Sequence, residues 1–233
     1  MLKVKDLIKT YKGEKTSTLK GISFTVDNGE VFGIVGKNGA GKSTTIKSII
    51  GIHSFENGEI TVNGHSIKKE ENAVKQLIGY VPDNHSVYET LTGREYVNFM
   101  ADIYGVNAED RERRLERYSK MFNLENVLDN QISGYSHGMH QKICIIGALV
   151  HEPKLWVLDE PFLGLDPHSV DAVKECIRDY TKNKKHMVIF TSHNLDTVIE
   201  ICDRVCVIEC GMVKDIVDVS KRNSKKKLRE LLD

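Results

Sequence analysis

Gly36-Lys37-Asn38-Gly39-Ala40-Gly41-Lys42-Ser43-Thr44 constrains this chain more than any other stretch, because it satisfies the pattern G-x-x-x-x-G-K-[ST] between a strand-like and a helix-like segment. Val31 to Val35 reads as a buried strand and Thr44 to Ile50 as a helix. A loop joining such elements turns backbone N–H groups inward, and its glycines let the main chain approach phosphate oxygens without a Cβ in the way. The helix N-terminus adds partial positive charge. The whole stretch from Gly36 to Thr44 is therefore expected to bind nucleotide, with Lys42 reaching the β- and γ-phosphates and Ser43 offering its hydroxyl to Mg2+.

The rest of the core follows from apolar runs of strand length. Ile78 to Val81, Leu155 to Leu158, Met187 to Thr191 and Val205 to Ile208 suit a parallel sheet buried on both faces, with helical segments between several of them. Leu2 to Ile8, Ile22 to Val26 and Glu59 to Val62 are bracketed by turn signals and read as a small antiparallel sheet laid against that core. Between Asn84 and Ser136 charged residues become dense and the period turns helical, in Arg94 to Tyr104 and Ala108 to Phe122. The expected class is α/β: a P-loop NTPase (RecA-like) parallel-sheet core with an antiparallel β subdomain and a helical insertion over 84–139.

Composition removes several functions. Lys plus Arg and Asp plus Glu number 33 each over 233 residues, which gives no global field for nucleic acid. The arginines at 111, 113, 114 and 117 are interleaved with acids, as on a solvated, ion-paired helix face. The longest apolar run, Ile143 to Val150, is far short of the roughly 18 residues of a membrane span. No signal peptide is visible, so a cytosolic chain is expected, with its cysteines reduced. Cys202, Cys206 and Cys210 recur every four residues but lack a nearby histidine, and read as small buried apolar residues rather than metal ligands. The segment 218–233 is expected to be a basic tail, either solvated or in contact with a membrane partner or lipid surface.

Leu155 to Leu158 runs into Asp159 and Glu160. Paired with a phosphate loop, a carboxylate at a strand end is the expected second Mg2+ ligand, through water, and Asp159 takes that role. Glu160 is placed to accept a proton from water attacking the γ-phosphate, which raises hydrolysis above mere binding.

These features together resemble the nucleotide-binding subunit of an ATP-binding cassette (ABC) transporter, over about residues 2–217. Tyr11 lies 25 residues before Gly36, where the family places an aromatic that stacks on adenine. Tyr135-Ser136-His137-Gly138-Met139 sits where the family has Leu-Ser-Gly-Gly-Gln, 23 residues before Asp159 counted from Ser136. Gly164-Leu165-Asp166 matches the loop after the catalytic glutamate, and Thr191-Ser192-His193 matches the switch histidine. The resemblance implies that Ser136, His137 and Gly138, ahead of a helix from about Gln141 to Val150, close over ATP bound by a second subunit. It implies that His193 contacts the γ-phosphate and attacking water, and that Asp166 couples the two sites.

Three residues depart from the family pattern. Asp83 stands where a glutamine is expected, and keeps an oxygen for Mg2+ or the catalytic water. His137 replaces the first signature glycine, bringing to the phosphate a ring type that changes charge near neutral pH. Leu163 replaces a serine often found before Gly164. The stretch from Tyr80 to Gly105 is similar to a bacterial branch whose partners are often exporters. The implied assembly is two such subunits, as homo- or heterodimer, peripheral on the cytoplasmic face of the membrane and attached to transmembrane permease subunits, with ATP and Mg2+ and no nucleic acid. A soluble ABC-type ATPase and a regulatory ATP-binding module are the competing readings, whereas a GTPase would want an Asn-Lys-x-Asp motif that the chain lacks.

Overall fold

The computed structural model describes residues 1–84 and 87–232. His85 and Ser86, inside the expected insertion, and Asp233, at the end of the expected tail, lie outside the described residues. The chain begins with β1 (Leu2–Lys9), β2 (Leu19–Val26), β3 (Val31–Val35), α1 (Lys42–Ile49), β4 (Asn57–Val62), β5 (His65–Ser66), α2 (Glu71–Gln76) and β6 (Ile78–Val81). It continues through α3 (Gly93–Ile103), α4 (Ala108–Met121), α5 (His137–Leu149), β7 (Leu155–Asp159) and α6 (Pro167–Thr181). The last elements are β8 (Met187–Thr191), α7 (Leu195–Ile201), β9 (Arg204–Glu209), β10 (Met212–Asp218) and α8 (Ser224–Leu232).

The main sheet has the order β10-β9-β3-β8-β7-β6, in which β9, β3, β8, β7 and β6 are parallel and β10 is antiparallel at one edge. Every residue of β3, β7 and β8 is buried, as strands covered on both faces require. The smaller sheet, β2-β1-β4-β5, is antiparallel. In β1 the buried positions step from Leu2 and Val4 to Leu7, because a register shift around Asp6, at φ +49°, inserts an extra residue. One apolar core joins this sheet and α1 to one face of the main sheet. The other core packs α3 to α6 against the opposite face, around the fully buried Trp156, Phe190 and Phe122.

Helices α3 to α7 begin where side-chain oxygens take up otherwise unpaired backbone donors. Thr92 and Glu95 form a reciprocal capping box on α3, Asn107 caps α4, and Asp166 caps α6 with Pro167 in its first turn. The arginines of α4 meet acids of this same chain: Arg111 pairs with Asp102 and Arg113 with Asp110. Arg114 reaches the core, donating to Val150 O at 2.7 Å and to Glu152 at 2.9 Å.

A second tie to the core, from the end of α3, is aromatic. Tyr104 stacks on His151 with centroids 3.6 Å apart and planes 5° from parallel, and His151 Nε2 lies 3.1 Å from Ile78 O at the start of β6. Burial is the chief cause of a His151 pKa lowered to about 4; the nearby charge of Arg114 lowers it further and the Ile78 hydrogen bond opposes. The unfolded chain therefore takes up this proton at higher pH than the folded one. Stability should fall as pH drops through 6.5 towards 4, by on the order of 3 kcal/mol from this group. Denaturant titrations at pH 7 and pH 4.5 should show a smaller acid loss in His151→Phe than in the wild type; equal losses would refute the assignment.

Three expectations are corrected. Most of the expected tail is not frayed but forms the helix α8 (Ser224–Leu232), which buries Leu228 completely. Its cations have acidic partners in this chain: Lys225 and Arg229 with Asp196, and Lys227 with Asp215. Those pairings tie its basic face to α7 and β10. The helix expected from Gln141 begins four residues earlier, at His137, since Ser136 supplies a cap. Among the three spaced cysteines, Cys202 and Cys206 are buried, but Cys210 is exposed in the turn after β9 at φ +50°. Burial raises the Cys202 thiol and pushes that of Cys206 up to about 12, as inert apolar packing requires.

Candidate functional site

The phosphate loop leaves β3 where only a glycine fits: a Cβ on Gly36 would stand 2.2 Å from Ile208 O of β9. At its other end Gly41 adopts φ +110°, in the left-handed region, and a Cβ there would lie 2.7 Å from Leu19. Because the residue preceding α1 is this glycine, no side chain caps the helix. Its first-turn N–H groups point without a side-chain acceptor into a pocket lined by Thr18, Asn38, Gly39, Gly41, Lys42, Ser43, Thr44 and Glu160. Ala40 is buried beneath the loop, and Lys37 and Asn38 line its outer side together with the ends of β9 and α8. Lys42 is 8% exposed and folds its ammonium over the loop, donating to Gly36 O at 2.9 Å and Lys37 O at 3.4 Å.

Parallel pairing of β7 with β8 brings the acids to that pocket. Asp159 is fully buried, and its Oδ1 accepts from Ser43 Oγ at 3.3 Å and from Thr191 Oγ1 at 2.5 Å. Its Oδ2 is buried with no hydrogen-bond partner among the described residues. A buried carboxylate oxygen without a donor is costly, and on a carboxylate whose other oxygen takes a serine hydroxyl it fits a hard cation with oxygen ligands. Glu160 follows at φ +50°, so its side chain turns away from that of Asp159. Its Oε2 lies 3.0 Å from His193 Nδ1, and its backbone N–H donates to Thr191 Oγ1 at 2.9 Å. Asp159, Glu160 and His193 thus meet at the ends of adjacent strands.

Tyr11 reaches the same region from the end of β1: its hydroxyl is 3.1 Å from Thr44 Oγ1 and its ring packs edge-on against His53, centroids 5.4 Å apart. Asp83 lies exposed in the turn after β6. Burial of Tyr80, reinforced by the charges of Asp159 and then Asp83, holds its phenol protonated far above the usual range, which places both acids near that ring.

The remaining expected residues cluster elsewhere. Ser136 caps α5, accepting from Met139 N at 3.3 Å, so His137 and Gly138 occupy the first turn of the helix rather than a loop before it. His137 Nε2 is 3.4 Å from Leu163 O, and a Cβ on Gly164 would stand 2.8 Å from the same nitrogen. Asp166 accepts from Ser169 Oγ at 2.5 Å and from Ser169 N at 3.1 Å, and these bonds hold its carboxyl below the usual range. Ser136, His137, Gly138 and Asp166 all stay out of the lining of the pocket above the phosphate loop. Two of the three departures from the family pattern, His137 and Leu163, are therefore in contact with each other.

Thr191 and Gln141 are site residues that sequence reasoning passed over. Gln141 is fully buried and donates to Pro161 O at 3.0 Å, fixing the segment after Glu160 to α5. Thr191 had a signal, a hydroxyl at the end of a strand of otherwise apolar residues.

Known proteins match this architecture and these motifs. The family model described as "ABC transporter" matches residues 19–163. The linearmycin resistance ATP-binding protein LnrL of Bacillus subtilis is 39% identical over 211 residues, covering 91% of this chain and 67% of the relative. The ABC-type transporter ATP-binding protein EcsA of the same organism is 36% identical over 214 residues, covering 92% and 85%. A solved structure of the ATP-binding subunit of an ABC transporter superposes with a TM-score of 0.91 at 34% identity, over 99% of this chain and 97% of the other. With a phosphate loop, an acidic strand end and a histidine bonded to its glutamate held within one fold of this kind, the chain belongs to the ABC transporter family, as one of its ATP-binding, ATP-hydrolysing subunits.

Proposed function

We propose that this subunit powers the outward transport of a substrate through separately encoded membrane subunits, and that it does so as half of a nucleotide-sandwich dimer. The observation that carries the dimer is the separation of its two anion-binding halves. The phosphate-loop pocket is open towards solvent above Lys42 and Ser43, while the capped N-terminus of α5, with Ser136, His137 and Gly138, lies outside it beside the Leu163-to-Asp166 loop. Two copies related by a twofold axis complete each other's pockets. Outward transport is supported by the resistance function named for LnrL.

In this reading Tyr11 stacks on adenine, and Gly36 to Thr44 cradle the phosphates. Ser43 and Asp159 hold Mg2+, with Asp83 at the edge of the site; the ion, when bound, draws charge off the phosphate oxygens. Glu160 takes the proton of the attacking water, and His193, bonded to it, orients both water and γ-phosphate. Loss of the γ-phosphate opens the dimer, and the opening is passed to the membrane subunits as rigid-body motion. The location is then the cytoplasmic face of the membrane; among the described residues no helix is long and apolar enough to cross it.

Affinity capture of the N-terminally tagged chain from native membranes should retain an integral membrane protein in fixed stoichiometry. Recovery of the chain alone, catalytically active in the soluble fraction, would overturn transport in favour of a soluble ATPase of the same family.

A further inference from the structure

We infer that Thr191 is a positioning residue that sets the metal-ligating carboxylate and the general base in register with one another. The inference rests on the reading of Asp159 and Glu160 given above. Thr191 is the last residue of β8, fully buried, and strand pairing places it directly opposite Asp159. A threonine hydroxyl has one proton to give and lone pairs to receive with. Here the backbone N–H of Glu160 is necessarily a donor, so the hydroxyl accepts it at 2.9 Å and must send its single proton to Asp159 Oδ1 at 2.5 Å. The direction of both bonds is thereby fixed by chemistry rather than by assignment.

Each bond has a separate consequence. Engaging Oδ1 leaves Oδ2 of Asp159 as the buried oxygen with no hydrogen-bond partner among the described residues, and so the one still able to take a cation. Ser43 also reaches Oδ1, but at 3.3 Å, so it is the weaker of the two donors and the one free to turn to the ion while Thr191 retains the carboxylate. The second bond pins the backbone of Glu160 at φ +50°, a conformation that non-glycine residues adopt at a cost and keep only where neighbouring groups determine it. That conformation aims Glu160 at His193, two residues beyond Thr191 on the same segment. One hydroxyl thus holds an oxygen of the metal ligand and the peptide of the base in a single arrangement, the kind of supporting contact whose loss costs 10- to 100-fold in metal affinity or activity.

The test uses the purified full chain. Thr191→Val keeps the β-branched shape of the strand residue and deletes both hydrogen bonds, whereas Thr191→Ser keeps the hydroxyl. MgCl2 titrations of mant-ATP fluorescence should show the half-saturating Mg2+ concentration raised about tenfold or more in the valine variant. The mant-ATP affinity measured in EDTA should stay within about threefold of wild type, and serine should restore the Mg2+ response. In phosphate-release assays the valine variant should lose kcat by about 10- to 100-fold with KM for ATP little changed. Wild-type Mg2+ response and kcat in Thr191→Val, or a serine variant as impaired as valine, would overturn the inference. Thr191→Cys, of similar volume and with a weaker donor, should shift both readings in the same direction and serves if the valine variant does not fold. Asp159→Asn and Glu160→Gln measured alongside separate the two failures. If those variants keep Mg2+ response and turnover, the assignment of the acids is at fault; if they lose them while Thr191→Val does not, only the role of Thr191 is.

Discussion

Replacing Glu160 by glutamine should reduce ATP hydrolysis by on the order of 10²- to 10⁴-fold while leaving ATP binding intact. The side chain is isosteric and still reaches His193, so the change removes proton acceptance and little else. The Glu160 N–H bond to Thr191 is a backbone contact and survives the substitution. A rate loss of 10³ corresponds to about 4 kcal/mol of transition-state stabilisation. If dimer opening follows hydrolysis, the variant should also accumulate as an ATP-bound dimer on size exclusion, where the wild type returns to monomer. Phosphate release at the wild-type rate in Glu160→Gln would assign the base to another residue, and Asp83 would be the first to test.

Lys42→Ala should abolish turnover and ATP-dependent dimerisation together. Lys42 is a buried residue, and its ammonium donates to the carbonyl oxygens of its own loop. Those carbonyls hold the charge at the loop, from which it can turn to phosphate. Charge-assisted hydrogen bonds of this kind contribute about 1.5–3 kcal/mol each, so the loss of Lys42 should weaken ATP binding by at least about tenfold. In the proposed dimer, dimerisation should fail for a second reason: a γ-phosphate that is not anchored in one subunit would not be gripped by the α5 N-terminus of the other. A Lys42→Ala chain that still dimerised on ATP would show that subunit contact does not depend on the phosphate.

Both predictions concern residues that could be read directly from the chain, and the reason is physical. The phosphate loop is a local object: its glycines, lysine and hydroxyls act through their own backbone, so a short window contains the whole of it. The buried parallel strands were legible for a related reason, since residues such as those of β3 and β8 are covered on both faces and must be apolar throughout. Strand β10 escaped notice because it is an edge strand, half exposed and carrying Lys214 and Asp215. Helix α8 escaped because its lysines look like a solvated run until folding brings Asp196 and Asp215 to them. Thr191 belongs to the same class. Its partners are 31 and 32 residues away in sequence, and only the pairing of β7 with β8 makes them neighbours.

The seating of α8 has a practical consequence for anyone handling this protein. Its final leucines, Leu231 and Leu232, wall a cleft whose other side is the outer surface of the phosphate loop, and Leu232 also lines a second cleft shared with Ser192 and His193. Anything attached to these leucines would bear on the outer surface of the phosphate loop. Fluorophores, surface tethers and purification handles therefore belong at the exposed Met1, ahead of β1, or the instrument will be attached to the part it is meant to observe.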